Sequence, residues 1–84
     1  MIAKIYFLVG TVQYSNEYGI PNAFAFPTRI FDANEEQQAI REYERLAKRN
    51  YDIGEAFQEA YVVKMVGEAK TVIKGNVGLV EPYL

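Results

Sequence analysis

Asp32, Glu35 and Glu36 stand close together, and carboxylates are the only plausible acid–base groups in the chain. Carboxylates serve as general acids near neutral pH only where their surroundings raise a pKa. These three sit where a helix is expected to begin, and a helix dipole there favours the ionised form. That is the wrong direction for an acid, and capping accounts for all three. Other chemistry is excluded by absence, because the 84 residues include no histidine, cysteine or tryptophan. The usual general base, the thiolate nucleophile and the two ligand types that build zinc sites are all missing. The carboxylates show no calcium-loop spacing. The expectation is a protein that is not an enzyme, with no catalytic residue, cofactor or metal.

Binding chemistry leaves more traces. At about 100° per residue, Arg41, Arg45, Lys48 and Arg49 cluster on the helix side opposite Ala39, Tyr43 and Leu46. Such a ridge suits phosphates or an acidic partner. An ordinary solvated helix face has the same pattern. Glu42 and Glu44 dilute this one, and Glu44 and Lys48 form an i, i+4 pair. Tyr6 and Tyr14 share a strand face with Lys4, which invites base stacking. No basic-aromatic motif of the RNA-recognition type accompanies them, and aromatics at strand spacing usually build core. Gly75-Asn76-Val77-Gly78 follows Lys74 but is too short for a phosphate loop; it reads as a hairpin turn. The segments 15–22 and 50–54 hold Tyr18, Tyr51 and Asp52, residue types that make adaptable loop contacts.

These groups need elements to position them. A chain this short is one domain over residues 1–84, able to bury roughly 60 % of its unfolded surface. Half its residues are apolar and 24% are charged, a globular composition. Its net charge of −2 makes no global case for nucleic acid. Lack of cysteine suits a reducing compartment. Met1–Lys4 followed by the apolar Ile5–Val9 mimics the start of a signal peptide, but the run is short and no cleavage site follows. No stretch approaches the roughly 20 apolar residues of a membrane helix. The expectation is a cytoplasmic protein with no membrane contact.

Residues 2–14 read as a β-branched and aromatic strand, and residues 15–19 as turn chemistry with Gly19 free to take positive φ. Pro21 and Asn22 open a second strand over 23–31. Pro27 lacks a ladder donor, so that strand lies at an edge or carries a bulge. Asn34 as cap and Gln37 in the capping-box place open a helix over 35–49, with Ala39, Ile40, Tyr43, Leu46 and Ala47 as its apolar stripe. Residues 57–66 read as strand, 67–69 as a hairpin turn, and 71–73 as a short strand. Residues 77–80 read as a last strand that Pro82 stops. The order is ββαββ with room for a fifth short strand: an α+β antiparallel sheet of four to five strands, one amphipathic helix packed on one face.

That architecture leaves one sheet face without cover. The first strand is apolar on both sides, with Ile5, Phe7 and Val9 on one face and Tyr6, Leu8, Val12 and Tyr14 on the other. The second strand places Phe24, Phe26 and Ile30 on one face, Ala25 and Phe31 on the other. A half-covered sheet alternates apolar with polar. The second face therefore curls under the C-terminal hairpin, pairs with a twin, or stays exposed for binding.

In texture the chain is similar to small accessory proteins of phages and mobile elements: short, mildly acidic, with aromatic-rich strands around one helix. The likeness covers composition and layout and transfers no residues. It implies a protein-binding module that inhibits a host or defence factor by steric occlusion. Tyr6, Leu8, Val12, Tyr14 and Tyr18 would be the contact residues, with a homodimer through the sheet as a further expectation. On that reading, replacing Tyr6 and Tyr14 by alanine weakens partner binding and spares the thermal transition. The alternative is a nucleic-acid-binding module using Arg41, Arg45, Lys48 and Arg49; a further one is a structural subunit of a homo-oligomer.

Overall fold

The computed structural model describes residues 3–84. The expected strand start at Ile2 lies outside them. β1 (Ile5–Glu17) and β2 (Ile20–Asp32) form a long antiparallel hairpin, and α1 (Glu36–Ala47) follows a short 3₁₀ turn at Ala33–Glu35. Next come β3 (Tyr51–Asp52), β4 (Ala56–Val66) and β5 (Ala69–Lys74). A four-residue helix, α2 (Val77–Val80), and a 3₁₀ turn at Glu81–Tyr83 close the chain. The five strands form one antiparallel sheet in the order β2-β1-β4-β3, and β5 also pairs with β4. Because β1 occupies one edge of β4, β3 and β5 share the other. The α+β class holds and the ββαββ order matches roughly; β3 is an added strand within the 50–54 segment that the sequence reads as a loop.

The hairpin is longer than its turn-like residues suggest. Ser15, Asn16 and Glu17 stay in the ladder, ending with Glu17 opposite Ile20. Pro27 left an edge or a bulge as alternatives, and β2 has both. The register shifts at Val9/Gly10, and the Thr28 hydroxyl donates to the Val9 carbonyl across it at 3.0 Å. The helix cap lies two residues earlier than Asn34 and Gln37 implied. The Asp32 backbone N–H donates to the Glu35 side chain at 2.9 Å, so Asp32 and Glu35 play those parts.

Two cores form, one on each side of the sheet. Ala39 and Leu46 of α1 bury against Phe7, Val9, Phe31, Ala60 and Val62, with Tyr43, Ala47 and Ile73 packed around them. On the opposite side Val12, Phe57, Tyr61, Val63 and Met65 gather around Val80. The division of β1 into an odd and an even face is as expected. Residues 77–80 are the main correction, for they are a helix and not a strand. The Asn76 side chain caps that helix by accepting from the Gly78 N–H at 3.1 Å, and Val80 is fully buried. Gly75, at φ +112°, turns β5 into this helix, so the Gly75–Gly78 segment is a strand-to-helix turn rather than a hairpin. Pro82 sits in the first turn of the closing 3₁₀ helix, where its missing donor costs nothing. The second face is thus closed by the chain's own end.

Candidate functional site

The C-terminal segment decides the fate of the predicted patch. Val12 is fully buried, so it is a core residue and not a contact residue. Tyr6, Leu8 and Tyr14 pack against the same cluster and are half-buried. Tyr14 stacks on Phe57 with ring centroids 5.3 Å apart and planes 12° from parallel, and Phe57 meets Tyr83 at 6.3 Å. Lys4 does share a face with Tyr6, its ammonium 5.6 Å from the ring centroid. The four residues lie together as expected, but beneath a cover that sequence periodicity did not reveal.

Tyr18 is placed differently. Glu17 and Ile20 pair across a two-residue loop in which Tyr18 has φ +57° and Gly19 φ +73°. Positive φ at both central residues marks a type I′ turn, whose first position favours asparagine, aspartate or glycine. A bulky residue there is strained by roughly 1–2 kcal/mol. The Tyr18 side chain is 98% exposed, so no internal contact offsets that strain. Ile20 and Ile53 beside the same end of the sheet are 70% and 73% exposed. Tyr18 and Ile53 line one open cleft with Asn16 and Glu55. The Asn16 N–H donates to the Glu55 carbonyl and the Ile53 N–H to the Ala56 carbonyl, each at 2.9 Å, which ties the 50–54 loop to the hairpin. Asp52 accepts from the Gly54 N–H at 3.0 Å in the same loop. The tip is apolar, with Glu17, Asp52 and Glu55 around it.

The helix side carries the other candidate surface. Arg41, Arg45, Lys48 and Arg49 are all exposed. Arg45 is partly neutralised, since its guanidinium donates twice to the Glu42 carboxylate, once from Nε at 3.1 Å. That bond, more than the charge itself, holds the Glu42 carboxyl below the usual carboxylate range. The tertiary structure adds Arg29 from β2, whose guanidinium stands 5.0 Å from the Phe31 ring centroid. Arg29, Arg41 and Arg45 line a single groove between β2 and α1, together with Gln38 and Glu35.

Past the end of α1 the same sheet face is uncovered. The register aligns Phe24, Gln13, Gln58 and Tyr51 in one row across β2, β1, β4 and β3. The Gln13 amide donates to the Gln58 amide oxygen at 3.0 Å. Phe26 lies next along β2, its ring centroid 5.5 Å from that of Phe24. Phe24 and Phe26 remain 48% and 45% exposed. The sequence pattern grouped both with Ile30 and opposite Phe31. The bulge at Val9/Gly10 shifts the alternation, so they share the helix side with Phe31 while Ile30 lies on the other, and α1 stops short of them. The signal was available in lengths: a twelve-residue helix spans about 18 Å and a thirteen-residue strand roughly 43 Å.

No family model matches the chain, and no characterised protein or solved structure matches it. No described helix is long and apolar enough to cross a membrane.

Proposed function

We propose that this chain is a protein-binding module that docks through the β1–β2 hairpin tip, with Tyr18 as its anchor. The single observation that carries this reading is Tyr18 itself, strained at φ +57° and almost wholly exposed. Backbone strain without an internal return points to selection for contact outside the molecule. Tyrosine is a good anchor because it brings a rigid apolar ring and a polar tip at low entropic cost. Ile20 and Ile53 widen the apolar contact, and Glu17, Asp52 and Glu55 favour a partner cleft rimmed by lysine or arginine.

The molecule suits steric occlusion. It measures 47 × 26 × 18 Å, and the hairpin forms one end of its long sheet. A projecting tip fills a cleft while the body blocks the approach to it, which is how a phage or mobile-element accessory protein would inhibit a host or defence factor. Pairing of two copies through the β2 edge is less favoured, because Pro21 and Pro27 remove two donors from that strand.

The test compares the wild-type chain with Tyr18→Asn as baits in nuclease-treated host lysate. Asparagine fits the turn, so the variant is expected to be more stable by about 1 kcal/mol and to lose the partner that the wild type captures. A discrete partner held equally by both baits removes Tyr18 from the interface and sinks the reading. A stable homo-oligomer in sedimentation with no further partner would favour a structural subunit instead.

A further inference from the structure

We infer that the helix side of the sheet is a second, separate binding surface that takes single-stranded nucleic acid. Bases would stack on Phe24 and Phe26, and phosphates would lie along Arg29 and Arg41. Phe24, Phe26, Arg29 and Phe31 follow one another along β2 on the face that α1 half covers. α1 runs beside them and contributes Arg41 and Arg45 to the groove that Arg29 enters. The result is two adjoining zones, one of exposed aromatic rings and one of guanidinium groups.

Charge complementarity selects the occupant. Glu42 engages Arg45 and also lies in the field of Arg29, and Glu35 accepts from the Asp32 N–H while keeping its charge, so three guanidinium groups in the groove face two carboxylates. Among the described residues neither Arg29 nor Arg41 has an ion-pair partner. The groove thus keeps a positive excess with two guanidinium groups outside any ion pair, which favours an anionic ligand despite the chain's net charge of −2. The rings then discriminate between polyanions. A run of acidic side chains offers no aromatic ring to stack on a phenyl face, whereas every nucleobase does. Gln13 and Gln58, lying between Phe24 and Tyr51, have the amide chemistry to meet base edges. A duplex would present its phosphates but keep its bases stacked on one another, out of reach of the rings.

Fluorescence anisotropy with a labelled oligothymidine at low salt tests this directly, against a duplex of equal length and polyglutamate as competitors. Oligothymidine is expected to bind at least tenfold more tightly than either. Its affinity should fall with salt at a log–log slope of about −1.4, the value for two phosphates neutralised on a single strand. Arg29→Gln and Arg41→Gln should each lower the slope by about 0.7. Phe24→Leu combined with Phe26→Leu keeps apolar bulk but removes the aromatic faces; it should cost about tenfold in affinity with the salt slope unchanged. Absence of oligothymidine binding at low salt overturns the inference. So does equal competition by polyglutamate, or full affinity in the double leucine variant. Tyr18→Asn should bind the oligonucleotide like the wild type, so this inference and the hairpin-tip reading can fail separately.

Discussion

Gly10 stands opposite Pro27 where the β1–β2 ladder changes register, and the two backbones approach too closely for any side chain between them. A Cβ added at Gly10 would lie 2.1 Å from the Phe26 carbonyl oxygen and 2.8 Å from the Tyr61 hydroxyl. Backbone on one side and a buried ring on the other leave nothing flexible to yield. The Pro27 that blunts the edge of β2 and the glycine that receives the bulge therefore act as a pair.

Gly10→Ala is expected to destabilise the fold by about 3 kcal/mol, at the upper end of ordinary overpacking. Urea denaturation measures this as a lowered midpoint with the slope preserved. An unchanged midpoint would mean that β1 and β2 separate at the bulge more freely than the register implies.

The cover over the second face makes a claim that runs against the sequence expectation for Tyr6 and Tyr14. Tyr14 stacks on Phe57, and Val80 is fully buried beside Tyr61 and Val63. Tyr14→Ala should cost about 2–3 kcal/mol, less than loss of a fully buried ring. Val80→Ala should cost about 1–2 kcal/mol. The thermal transition reports both, and a melting temperature unmoved by Tyr14→Ala would restore these tyrosines as a free surface patch.

Tyr61 supplies a pH dependence. Burial pushes its phenol above the ordinary value, and burial does the same, with help from Glu59, for Tyr43. A pKa raised in the folded state means that the native protein holds its proton while the unfolded chain has released it. The stabilising effect is complete below the ordinary phenol value of about 10 and is lost as the pH rises through the folded value. Tyr61→Phe should therefore flatten the alkaline decline in stability, measured by denaturation above pH ~10. Retention of the full decline in that variant would assign it to other groups.

Several parts of the molecule were legible because they follow from local chemistry. Pro27 announced an edge strand or a bulge because a missing donor is tolerated only there. The 39, 43 and 46 positions announced the buried face of α1, and the two apolar sides of β1 announced a second apolar face without saying what lies over it. The contact residues were harder. Val12 and Tyr14 were correctly grouped on one face, but periodicity says which residues share a side and not what lies over it. Tyr18 gave no signal beyond its loop position, since a tyrosine beside glycine fits many turns. Its positive φ follows from the pairing of Glu17 with Ile20, a register that the whole hairpin sets.

The sequence by itself determined the α+β class, the amphipathic helix, an edge or a bulge at Pro27 and the lack of histidine and cysteine chemistry. These depend on residue type and on spacing within a few positions. Only the tertiary structure decided that residues 77–84 fold back over the second face, and that Arg29 joins Arg41 and Arg45. It also decided that Phe24 and Phe26 stay uncovered. Each of these depends on where distant segments end relative to one another, and that is set by ladder register and element length across the whole sheet.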